Sequence, residues 1–183
     1  HDERVDNPVW AAQVGKVGAR YINHACAACH VRNGRALVAD VGGSLDKWVF
    51  KVGDAGGAAD PLIGSVLQPR KTAGAVQSEG NVTLGPWTHH PNGLRSPNYV
   101  FSQDRPARFS ARIAPQLVGM GLLDAVAEST ILEWADPDDR DGDGISGRPA
   151  LLKDPVSGQT RLGRVGYKAG TFSLAHPVAS AVT

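Results

Sequence analysis

Cysteine is nearly absent from this 183-residue chain: the only two, Cys26 and Cys29, lie within one five-residue stretch, which leaves none for a disulfide elsewhere. Neither sign of charge is in excess. The 19 basic and 18 acidic residues leave a net charge of +1, too little for a single-sign field that would hold nucleic acid or an anionic membrane. No apolar run approaches the roughly 18 residues of a membrane-spanning helix, so no membrane span is expected. The start, His1-Asp2-Glu3-Arg4, has no hydrophobic signal region and reads as a mature or trimmed terminus.

Glycine and proline, in contrast, are plentiful, at 22 and 12 residues. Both weaken helix interiors, so much of the chain must be loop. With 42% hydrophobic residues the chain can still bury one substantial core. The expected organisation is a single domain over residues 1–183 with a loop-rich, partly β excursion at about 33–101.

Pro8 to His24 carries Val9, Ala12, Val14, Val17, Tyr21 and Ile22 at mixed helical spacing and is read as a helix leading into the cysteine motif. From Asn33 to Phe101 short apolar runs (Leu37 to Val41, Trp48 to Val52, Leu62 to Leu67, Val82 to Leu84, Tyr99 to Phe101) alternate with Gly-Gly, Gly-Asp and Asn-Gly turn signals, the pattern of a few short strands. Ala114 to Trp134 has the strongest helical pattern, as one helix or as two broken near Glu128-Ser129. After Ala150 a short hairpin and a terminal turn or helix from Ser173 are expected. The fold class that follows is mainly α, with long loops and a small β-hairpin lobe.

Cys26-Ala27-Ala28-Cys29-His30 carries the chemistry. Two thiols separated by two residues can add to the two vinyl groups of haem, and a His directly after the second Cys falls under the iron on the same turn. Cys26 and Cys29 are thus read as the attachment points of one covalent haem c and His30 as an axial ligand. A bare thiol redox pair is the rival reading; no second Cys pair or spaced His pair supports zinc. Haem of this kind is attached outside the cytoplasm, so a periplasmic or otherwise exported protein is expected.

The sixth iron position decides between electron transfer and reaction with a small molecule. Met120, the only methionine, lies between Gly119 and Gly121 and is the candidate sixth ligand, against simple core packing. Among His1, His24, His89, His90 and His176, the alternative to test first is His176. Asp139, Asp141 and Asp143 followed by Gly144 reproduce the first half of a calcium loop, but Ala150 stands where an EF-hand places its bidentate Glu. Calcium at these three residues competes with an Asp-capped turn tied to Arg140 or Arg148. Arg95, Arg108 and Arg112 are candidate cations for the haem propionates, with Arg112 foremost, against the plainer reading of each as a solvated surface residue. Trp48, Trp87 and Trp134 are read first as packing residues and second as neighbours of a porphyrin edge.

Three segments carry a resemblance: Arg112-Ile113-Ala114-Pro115-Gln116-Leu117-Val118-Gly119-Met120-Gly121-Leu122-Leu123-Asp124-Ala125, then Ala135-Asp136-Pro137-Asp138-Asp139 with Asp141-Gly142-Asp143-Gly144-Ile145-Ser146-Gly147-Arg148-Pro149, then Leu162-Gly163-Arg164-Val165-Gly166-Tyr167-Lys168-Ala169. Together they resemble the di-haem oxidoreductase family, also labelled thiol oxidoreductases and related to bacterial di-haem cytochrome c peroxidases and to the di-haem enzymes that oxidise protein tryptophans. The resemblance implies a protein of two cytochrome-like halves, one haem relaying electrons and the other meeting peroxide. This chain corresponds to the first half. Its partner would then be a second haem domain or a separate redox protein.

The resemblance also implies a glutamine near the peroxide site three residues after Ser173-Leu174, where this chain has Pro177. Proline has no side-chain amide to orient peroxide. The expectation is therefore an electron-transferring cytochrome domain of a di-haem peroxidase-like oxidoreductase; the alternative is a peroxidase reducing hydrogen peroxide at an open iron site.

Overall fold

The computed structural model describes residues 18–74 and 77–182. The chain divides into two compact units, one ending at Leu117 and one beginning at Val118.

The first unit is built from antiparallel strand pairs. In chain order it holds β1 (Arg20–Tyr21), α1 (Cys26–Cys29), β2 (Trp48–Gly53), β3 (Arg70–Lys71), β4 (Val82–Leu84), β5 (Thr88–His89), β6 (Arg95–Ser96), β7 (Tyr99–Phe101) and β8 (Arg108–Ile113). β1 pairs with β3, β2 with β8, β4 with β7 and β5 with β6. The longest ladder joins β2 to β8, with Trp48 opposite Ile113 and Gly53 opposite Arg108.

The period-2 pattern of β2 explains this ladder. Trp48, Phe50 and Val52 are buried while the intervening Val49 and Lys51 are only half-buried, as expected where successive side chains point to opposite faces. Val82 and Leu84 of β4 alternate with Thr83 in the same way. The Phe50 ring meets Tyr99 edge-on at 5.5 Å, and Phe101 meets Phe109 at 5.1 Å, so β2, β4, β7 and β8 share one aromatic core. The buried Trp48 donates its indole N–H to the Leu37 carbonyl at 3.2 Å, which satisfies the one polar atom the ring brings inside.

The second unit contains α2 (Met120–Asp124), α3 (Glu128–Glu133), the hairpin β9 (Leu151–Lys153) with β10 (Thr160–Leu162), and α4 (Ala175–Val182). Its buried apolar side chains among the described residues are Leu162 and Val165. Polar ties do much of the remaining work. The Arg164 guanidinium, 10% exposed, donates to the Asp124 carbonyl at 3.2 Å and to the Val126 carbonyl, and lies 3.8 Å from Glu128. It thereby caps the carbonyls that α2 leaves unpaired at its end. Gly163 is required beside it, because a Cβ there would run into the Ala169 carbonyl oxygen.

The mainly α expectation is overturned: the described residues are mostly strands and loops, with four short helices among them. Most of the helix read over Pro8 to His24 falls outside the described residues, and Arg20–Tyr21 at its end is strand. The apolar stretch from Ala114 to Trp134 yields only α2 and α3. Gly119 adopts φ +82°, a left-handed conformation incompatible with continuing a helix, and the two helices are separated at Ala125–Ala127, just before Glu128. The runs at Leu37 to Val41 and Leu62 to Leu67 form no strand, although Val66 makes one isolated bridge to Lys51. β8, with arginines at both Arg108 and Arg112, supplies the ladder instead.

Burial sets a direct test. Leu84 is 1% exposed at the centre of the first unit's core, whereas Leu94 on the β5–β6 hairpin is 65% exposed. Leu84→Ala should cost about 2–5 kcal/mol, and Leu94→Ala should stay within about 0.5 kcal/mol of the parent, both read from denaturant unfolding followed by tryptophan fluorescence.

Candidate functional site

The cysteine motif forms a single helical turn. Ala28 N–H donates to the Ala25 carbonyl at 3.1 Å and His30 N–H to the Cys26 carbonyl at 2.9 Å, so Cys26 and Cys29 open and close α1 with His30 at its end. Cys26 is exposed; Cys29 is half-buried and packs against the aromatic core. Burial pushes the Cys29 thiol above its ordinary range, only partly offset by a hydrogen bond from the Asn23 side chain.

Beyond His30 the chain reverses sharply. Arg32 and Asn33 both take left-handed backbone conformations, φ 53° and 61°, unfavourable for residues with a Cβ and sustained by the hydrogen bonds around them. Asn33 N–H donates to the His30 carbonyl at 3.0 Å, and the Asn33 carbonyl accepts from Leu117 N–H at 2.8 Å. This second bond ties the motif to the segment that follows β8.

His30 is fixed through the same segment. Its Nδ1 lies 2.6 Å from the Pro115 carbonyl oxygen. A carbonyl can only accept, so Nδ1 carries the hydrogen and, in the neutral ring, Nε2 keeps the free lone pair. Imidazoles that ligate metals are held in this way, with the second nitrogen donating to a backbone carbonyl or a carboxylate. Two thiols one turn apart and an imidazole with Nε2 available make a donor set that fits a haem bound by two thioethers and one axial nitrogen.

The other candidates are distributed over both units. Arg112 lies on β8, half-buried and opposite Val49. His89 and His90 are exposed on the β5–β6 hairpin, where His90 Nε2 pairs with Ser96 Oγ at 2.7 Å. Trp48 is core; Trp87 packs partly against that core with Arg95 4.3 Å above its ring. In the second unit Met120 is half-buried as the first residue of α2, and Trp134 is 76% exposed. His176, on α4, faces the Phe172 ring at 5.4 Å. His1 lies outside the described residues.

The acidic turn is also formed. Carboxylate oxygens of Asp139, Asp141 and Asp143 lie within 4.8 Å of one another, and each also accepts from the loop's own amides: Asp139 from Gly144, Asp141 from Asp143, and Asp143 from Ile145 at 2.7 Å. Asp136 accepts from Arg140 N–H at 2.8 Å, from its Nε at 3.2 Å and from Asp141 N–H at 3.3 Å. The tie of the turn to Arg140 runs through Asp136, and Arg148 donates to the Pro137 carbonyl at 3.0 Å.

Three residues with structural roles at these sites were not singled out by sequence. The Pro115 carbonyl and Arg164 lie inside segments that carried the family resemblance, without a sign there of what they touch. Asn23 had no signal beyond standing three residues before Cys26.

Residues 94–182 match the family described as "Di-haem oxidoreductase, putative peroxidase". Over this stretch, just under half of the chain, the protein is similar to the di-haem oxidoreductases. The matched stretch includes Pro115, the acidic turn and Arg164. No curated protein and no solved structure matches the chain.

The acidic turn has a pH signature. Hydrogen bonds from the Arg140 backbone, the largest influence, hold the Asp136 carboxyl below the 3.8 of a free aspartate. A carboxylate with a depressed folded-state pKa stabilises the turn above its unfolded value and loses that contribution as pH falls through the folded value. NMR titration should place the Asp136 midpoint below 3.8, and Arg140→Ala, which keeps the backbone donor but removes the side-chain hydrogen bond and the charge, should move it part of the way back up.

Proposed function

We propose that this chain is an exported c-type cytochrome domain that holds one haem through thioethers at Cys26 and Cys29, with His30 as axial ligand, and transfers single electrons as one half of a di-haem peroxidase-like oxidoreductase. The observation that carries this reading is the bond from His30 Nδ1 to the Pro115 carbonyl, which leaves Nε2 free beside two thiols on the same turn. Haem supplies the one-electron chemistry; the protein supplies orientation, polarity and access.

Each residue has a definite task in that reading. Cys26 and Cys29 fix the porphyrin to α1. The Pro115 carbonyl keeps the His30 ring in one tautomer and one orientation and raises the basicity of Nε2. Arg112 supplies a cation for a propionate. The redox partner is a second haem domain or a separate redox protein, and the family match over 94–182 supports the oxidoreductase class.

Mass spectrometry of the denatured protein should show the chain mass increased by one haem, since only a covalent adduct survives denaturation. An unmodified mass after expression with haem-attachment machinery would overturn the reading. The resting ferric spectrum separates electron transfer from peroxidase chemistry: a six-coordinate low-spin spectrum insensitive to cyanide is expected, whereas a high-spin spectrum that shifts with cyanide would favour reduction of peroxide at the iron. Met120 is the proposed sixth ligand, and Met120→Ala should convert the spectrum to high spin. An unchanged spectrum would reassign that position, with His176 the next variant to make.

A further inference from the structure

We infer that Asn23 is a positioning residue for haem attachment, acting on Cys29 and not on Cys26. The inference rests on the reading of Cys26-Ala27-Ala28-Cys29-His30 as a haem attachment site. It names a residue outside that motif on which the attachment depends.

The two cysteines stand in different surroundings. Cys26 is exposed on the first residue of α1, whereas Cys29 is half-buried against the core and lies 4.0 Å, sulfur to nitrogen, from the Asn23 side-chain amide. Asn23 is itself held on both sides: Nδ2 is 3.5 Å from the Asp46 carbonyl, and Oδ1 accepts from His24 N–H at 3.2 Å. Asp46 is anchored in turn, its carboxylate paired with Arg70 at 2.7 Å and its neighbour Leu45 buried in the core. A chain of fixed groups thus runs from the core through Asp46 and Asn23 to the sulfur of Cys29.

Thioether formation adds a thiol across a vinyl double bond. The S–H bond breaks, sulfur bonds to one vinyl carbon, the hydrogen ends on the other, the π bond is consumed and no electron leaves the pair of reactants. The reaction needs the sulfur in one rotamer with a lone pair free. An amide that donates to sulfur from one side restricts the cysteine side chain to a single direction and leaves the other lone pair for the vinyl carbon, the general advantage of pre-oriented reactants. Cys26 reacts from an exposed position without this guide.

The full chain would be expressed with haem-attachment machinery as wild type, Asn23→Ala, Asn23→Asp and, as a single-thioether reference, Cys29→Ala. The readouts are the α-band position of the pyridine haemochrome and alkylation of free Cys29 located by peptide mapping. Wild type should show two thioethers; Asn23→Ala and Asn23→Asp should both show a several-fold rise in protein attached through Cys26 alone, with the α-band moved toward that of Cys29→Ala. Asn23→Asp keeps the shape of the side chain while removing the amide donor, so it decides the matter by itself where Asn23→Ala yields no haemoprotein. Two intact thioethers in Asn23→Asp would overturn the inference and reduce Asn23 to packing. A wild type without covalent haem would overturn the reading of the motif itself and the inference with it, an outcome distinct from two intact thioethers in Asn23→Asp.

Discussion

Pairing of Trp48–Gly53 with Arg108–Ile113 is the constraint on which the first unit depends. The two strands are far apart in sequence, so closing the loop between them costs chain entropy before any contact is gained. Burial of Trp48, Phe50 and Val52 on one face and the edge-on stacking of Phe50, Tyr99, Phe101 and Phe109 offset that cost. The register is also fixed by this burial, because a slip of one residue would turn the apolar side chains of the strand to the opposite face. With Ile113 opposite Trp48, Pro115 follows two residues later and its carbonyl reaches His30 across 85 positions of sequence.

The one-turn helix at Cys26–Cys29 is too short to persist by itself, since nucleation consumes more entropy than a single turn returns. It is held from outside. Cys29 packs on the core, the left-handed pair Arg32 and Asn33 turns the chain back, and Leu117 N–H closes the return by donating to the Asn33 carbonyl. A motif legible in five residues therefore depends on a strand ending more than eighty residues later.

What the sequence revealed follows from this division. Motif chemistry is local, so Cys26, Cys29 and His30 stand out as candidates from spacing alone, and β2, β4 and β7 could be read from their apolar runs. The hairpin after Ala150 and the helix after Ser173 were legible for the same reason. Helix content was overestimated because apolar periodicity over Ala114 to Trp134 says nothing of the left-handed φ at Gly119. β8 escaped notice because Arg108 and Arg112 dilute its apolar character, and its partner, not its own composition, makes it a strand. Pro115 could not be found by side-chain reasoning at all, since the atom that matters belongs to the backbone. Arg164 was hidden similarly: its acceptors are the carbonyls of Asp124 and Val126.

The choice of a backbone carbonyl as the partner of His30 also bears on function. A carboxylate at Nδ1 would draw the imidazole toward imidazolate, making Nε2 a stronger donor that favours the oxidised metal; a neutral carbonyl raises basicity less. In the proposed haem site, an iron held by this imidazole would be correspondingly easier to reduce, and the ligand less inclined to push electron density away from the protein. Pro115 adds rigidity, since its ring fixes φ and its nitrogen has no hydrogen with which to seek another partner. A neutral, rigid acceptor is thus better matched to passing an electron through iron than to cleaving an O–O bond there. For the proposed reading, that preference points the same way as the lack of a side-chain amide at Pro177.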